Sequence, residues 1–89
     1  MDDLKQFYRS ALHTRIEALE TAATTMTADP AGALATIRRL AHSLRGSGST
    51  YGYPQVTEAA IAVEEAEPED VPALLKHLLR TLKDVAAEA

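Results

Sequence analysis

The sequence predicts an all-α fold, an antiparallel up-and-down four-helix bundle, and three observations carry that expectation. Apolar residues recur at helical spacing in four separate stretches. Proline and other turn-forming residues mark the junctions between them. No stretch alternates apolar and polar residues as a half-buried strand would.

The first helix is expected to start at Asp3, a cap with Gln6 at the third helical position, and to run to about Thr27. Its stripe is Leu4, Tyr8, Leu12, Ile16, Leu19, Ala23 and Met26. Asp29-Pro30 pairs a good N-cap with a proline at the first helical position, and Leu34, Ile37, Leu40, Ala41 and Leu44 follow as a second stripe. The run Gly46-Ser47-Gly48-Ser49-Thr50-Tyr51-Gly52 weakens and then ends that helix. Tyr53-Pro54 starts a third, shorter helix with a narrow apolar side of Val56, Ala59, Ala60 and Val63, stopping near Glu67. Pro68 and Pro72 bracket an acidic turn in which Asp70 is the expected N-cap. Val71, Leu74, Leu75, Leu78, Leu82 and Val85 then form the strongest stripe of the chain.

With 89 residues the chain has room for one domain, expected to span 1–89. It is 46% hydrophobic and 25% charged, the balance of a folded protein rather than a disordered one. Cysteine is absent, which excludes disulfides and thiolate metal sites. No apolar stretch is long enough to span a bilayer, and Met1-Asp2-Asp3 lacks the basic and apolar blocks of a secretion signal, so a cytoplasmic protein without membrane attachment is expected. A net charge of -4 argues against nucleic acid as the main partner. A monomer is expected.

The basic cluster Arg38, Arg39 and Arg45 has a local setting. At about 100° per residue, His42 points roughly 150° from the centre of the apolar arc of its helix and faces solvent. Arg38 lies one turn before it, Arg45 three residues after it and Gly46 four after it. A helical side chain leans toward the N-terminus, so a larger residue at position 46 would cover the imidazole. Mid-helix glycine costs on the order of 1 kcal/mol relative to alanine, and access to His42 is a reason for one here. A neutral imidazole is a nucleophile near pH 7, and the arginines could balance an N-phosphoryl group. There is no glycine-rich phosphate loop followed by Lys-Ser/Thr and no evident carboxylate set for magnesium, so the chain is expected to hold a phosphoryl group without taking it from ATP. Taken singly, each feature has a plainer reading: a solvated histidine, solubilising arginines, a fraying helix end.

Ala41-His42-Ser43-Leu44-Arg45-Gly46-Ser47-Gly48-Ser49-Thr50-Tyr51-Gly52-Tyr53 resembles the signature of histidine phosphotransfer (HPt) domains. The resemblance implies a four-helix bundle in which His42 is the phosphoacceptor, Arg45 steadies the phosphoryl group and Gly46 keeps the site open. It also implies that Glu64, at the position of an acidic or amide residue on the next helix, bonds the other imidazole nitrogen and fixes its tautomer. Arg45 stands where the family usually has lysine, keeping the charge but offering a planar fork. The implied partners are response-regulator receiver domains, a sensor histidine kinase, or both, with magnesium carried by the receiver and no cofactor in this chain. Around His42, Arg38, Ser43, Ser49 and an exposed Ile61 are expected to border the docking contact.

Tyr51-Gly52-Tyr53 also resembles the phosphoacceptor domain of chemotaxis-type histidine kinases, which leaves the donor open. A non-phosphorylated helical interaction domain is a third reading, of another class. A zinc site from His13, Glu17 and His77 is not expected, since no His-Glu-x-x-His pattern exists. Nor is a serine hydrolase: Ser43, Ser47 and Ser49 crowd one helix end without a base and its orienting partner.

Overall fold

A computed structural model describes residues 2–88; the expected domain limits, Met1 and Ala89, lie outside the described residues. Four α-helices and one short 3₁₀ turn make up the fold, and no strand occurs among the described residues. The helices are α1 (Asp2–Thr25), α2 (Pro30–Thr50), α3 (Pro54–Glu65) and α4 (Val71–Ala86), with the 3₁₀ turn at Pro68–Asp70. Helix α1 packs on α2 and α4, and α3 packs on the same two helices, with the closest association between α2 and α3. Among the described residues no helix is long and apolar enough to cross a membrane.

Helix α1 buries Tyr8, Leu12, Ile16, Leu19 and Ala22. Two members of its expected stripe fall elsewhere. Leu4 is 59% exposed and Phe7 65% exposed, because the buried stripe of α1 begins only at Tyr8. Ala23 is exposed because Ala22, three residues after Leu19, sits nearer the centre of the buried arc. Asp3 lies inside the first helical turn and not at the cap, since the helix already includes Asp2. The helix stops at Thr25, two residues short of the expected end, where the hydroxyls of Thr24 and Thr25 donate to the carbonyls of Thr21 and Ala22.

Asp29 caps α2 as expected, its carboxylate accepting the Gly32 N–H at 3.1 Å, with Pro30 at the first helical position. Ala33, Ile37, Leu40, Ala41 and Leu44 are buried, while Leu34 is only partly so. Both Gly46 and Gly48 lie within the helix, which ends at Thr50. The chain reverses through Gly52, whose φ of +89° is left-handed and disfavours any side chain. Val56, Ala59, Ala60 and Val63 of α3 are buried as the sequence predicts, though the helix ends at Glu65, before Glu67. Asp70 occupies the cap position of α4 but its side chain makes no capping bond, because the preceding 3₁₀ turn already holds it in a helical conformation. Val71, Leu75, Leu78, Leu82 and Val85 fill the core from α4, with Leu74 at its edge.

No polar or charged residue other than tyrosine is buried among the described residues, so the polar chemistry lies along the seams between helices. One seam joins α1 to the turn after α2. Tyr8 stacks on Tyr51 with centroids 4.6 Å apart and on Tyr53 at 5.8 Å, and its hydroxyl bonds the Ser47 hydroxyl at 2.9 Å. Burial pushes the Tyr8 phenol pKa up from its ordinary value. Arg9 donates to the Tyr53 hydroxyl at 3.0 Å, and the Lys5 ammonium lies 5.1 Å from the Tyr53 ring centroid.

Candidate functional site

The face of α2 opposite Ile37, Leu40, Ala41 and Leu44 carries His42, whose side chain is 72% exposed. Its Nδ1 lies 2.6 Å from Oε2 of Glu64 on α3. The other carboxylate oxygen, Oε1, accepts from Nη1 of Arg45 at 3.1 Å. One half-buried carboxylate therefore holds both the imidazole and the guanidinium. Bonding to His42, and then to Arg45, lowers the Glu64 pKa from its ordinary value. An ionised carboxylate can only accept, so a neutral imidazole in this geometry carries its proton on Nδ1. The lone pair then sits on Nε2, the nitrogen farther from Glu64.

Gly46 lies on the same open face, and a Cβ built there meets nothing within 4 Å. His42, Arg45, Gly46 and Glu64 are thus brought together. Glu64 forms an interhelical bridge, while its neighbour Glu65 is exposed.

The expected docking rim is redistributed. Arg38 turns toward the end of α3, where its Nη2 donates to the Ala66 carbonyl at 2.8 Å and its Nε is buried without a partner. A guanidinium there satisfies an orphan carbonyl and complements the negative end of the helix, so Arg38 fastens two helices and is no free rim cation. Ile61 is half-buried, not exposed. It lies in sequence between Thr57 and Glu64, the two residues of α3 that bond α2, and is partly covered although it points away from Val56, Ala59 and Val63. Ser49 is exposed but tied to Thr57, whereas Ser43 and Arg39 are exposed, with no hydrogen bond from either side chain among the described residues. His13 and His77 are exposed on α1 and α4. Among the described residues no group of three or more His, Cys, Asp or Glu side chains is placed to hold a metal ion.

Two residues of the seam escape a reading by periodicity. Gly48 is buried, and a Cβ there would fall 2.6 Å from Thr57 Oγ1, 2.7 Å from Thr57 N and 3.0 Å from the Tyr53 carbonyl. Thr57 packs into that space and bonds α2 three times. The one available signal was a second glycine in a helix, which costs stability unless a close approach requires it.

The fold is all-helical and displays a carboxylate-held histidine on an open helix face. The family model of the Hpt domain matches residues 3–88, nearly the whole chain, and the chain belongs to that family, whose members perform histidine phosphotransfer in phosphorelays. No curated protein and no solved structure matched the chain.

Proposed function

We propose that residues 1–89 form one phosphotransfer domain, an antiparallel up-and-down bundle that accepts a phosphoryl group on Nε2 of His42 and exchanges it with the aspartate of a receiver domain. The observation that carries this reading is the 2.6 Å contact between His42 Nδ1 and Glu64 on an imidazole that is otherwise open to solvent. With the proton held on Nδ1, the Nε2 lone pair attacks the phosphorus of an aspartyl phosphate. The bond from phosphorus to the acyl oxygen breaks, and the aspartate leaves as a carboxylate beside the magnesium of the receiver. The new phosphoimidazole is cationic in its ring, and Glu64 stabilises the Nδ1–H that bears this charge. Arg45 is within reach of both Glu64 and the open face, where its guanidinium can balance the phosphoryl oxygens. The same steps run in reverse, so the domain serves as donor or acceptor; a sensor kinase is the alternative source.

The test is incubation of the purified chain with phosphorylated receiver domains. Label is expected on a histidine of the wild-type protein and is expected to vanish in a folded His42→Ala variant. Label retained in that variant, or none in the wild type with any receiver or kinase tried, overturns the reading.

A further inference from the structure

We propose that Thr57 is a positioning residue for His42: its hydroxyl, set into the backbone of α2 at Arg45, holds the histidine helix in register with the helix that carries Glu64. The inference rests on His42 as the phosphoacceptor.

In a regular α-helix the Ser49 N–H would donate to the Arg45 carbonyl, four residues back. Here the Ser49 N–H donates to Thr57 Oγ1 at 2.8 Å, and Thr57 Oγ1 donates to the Arg45 carbonyl at 2.9 Å. The hydroxyl of Ser49 donates to the same oxygen at 3.0 Å. A threonine hydroxyl has one proton to give and two lone pairs to receive, so all its capacity is used, and all of it on α2. The Thr57 hydroxyl thus engages the α2 main chain at both Arg45 and Ser49, the first of them within one turn of His42. Gly48 leaves the room: any Cβ there would occupy the space of the Thr57 hydroxyl and amide.

Thr57 and Glu64 are seven residues apart on α3, two turns along one face. The first grips the main chain of Arg45 and the second grips its side chain together with the imidazole. A carboxylate bond to Nδ1 selects the tautomer only while the two helices keep their offset, and Thr57 is the polar fastening that sets it at the Arg45 turn.

Thr57→Val keeps the shape and loses the hydroxyl, while Thr57→Ser keeps the hydroxyl. The His42 tautomer is read by imidazole nitrogen NMR, and reactivity by phosphohistidine formation from phosphoramidate. In that reaction Nε2 forms the new bond to phosphorus as the donor's P–N bond breaks and ammonia leaves. This donor requires no receiver, so docking does not enter. A folded Thr57→Val protein is expected to hold a smaller Nδ1–H fraction and to react roughly five- to tenfold more slowly, as for one lost hydrogen-bonded bridge, with Thr57→Ser close to wild type in both. Unchanged tautomer and rate in folded Thr57→Val overturns the inference, and so does a Thr57→Ser protein as impaired as the valine variant. If the valine variant does not fold, Thr57→Ala carries the same comparison. Failure of the wild type to take phosphoryl from any donor defeats the reading of His42 itself, while the tautomer comparison still decides whether Thr57 positions the ring.

Discussion

At the scale of single residues, the two glycines of α2 have opposite surroundings and should answer substitution in opposite ways. Gly46 faces open space, so a Cβ costs no contact and removes the helix penalty of glycine. A longer side chain there leans back toward the residue one turn earlier, which is His42. Gly46→Gln is therefore expected to raise the melting temperature slightly, by the equivalent of roughly 0.5–1 kcal/mol, while slowing phosphoryl transfer tenfold or more, on the order expected for lost access at a reacting atom. Thermal melts and transfer rates on the same protein check this. Undiminished transfer in a folded Gly46→Gln chain would show that the opening beside His42 has no functional role.

The α2–α3 seam is where the elements make the site. Three polar fastenings run along it: Thr57 on the Arg45 and Ser49 backbone, Glu64 on His42 and Arg45, and Arg38 on the Ala66 carbonyl. All depend on how closely the helices approach, and Gly48 sets that distance. In Gly48→Ala the new Cβ would press on the Thr57 amide and the Tyr53 carbonyl, both backbone, which cannot swing aside. Overpacking of this kind typically costs about 1–3 kcal/mol, more than the gain in helix propensity. A fall in melting temperature of about 4–8 °C per kcal/mol is expected for a domain of this size, against a rise for Gly46→Ala. A stabilised Gly48→Ala protein would mean that the seam is looser than its geometry implies.

For the whole molecule, stability should depend on pH through the site. The folded protein holds the Glu64 pKa below its ordinary value of 4.5, so the carboxylate contributes stability that is present above that value and is lost as pH falls through the folded one. Glu64→Gln is expected to melt below the wild type at pH 7, and the gap should close on acidification below about 4.5. Melting curves of both proteins from pH 7 to pH 3 test this. A gap that stays constant would mean that Glu64 contributes by shape and not by charge.

Much of the fold was legible in the chain itself because its determinants are local. Helical period and prolines 30 and 54 locate the helices, Asp29 caps one of them, and the angle between His42 and the apolar arc of α2 sends the imidazole to solvent. The family signature pointed to Glu64, and periodicity alone did not, since a carboxylate beside Glu65 looks solvated from sequence. What period cannot supply is the relative placement of two helices. That placement buries Ile61 partway and turns Arg38 from the rim to the Ala66 carbonyl. It also makes Thr57 a backbone bridge and Gly48 the point of closest approach. Sequence by itself determined which face of each helix is apolar and that His42 faces solvent. Only the tertiary structure decided which polar groups meet across the seam, because a hydrogen bond forms or fails over tenths of an ångström, and that distance is set by side chains on both helices at once.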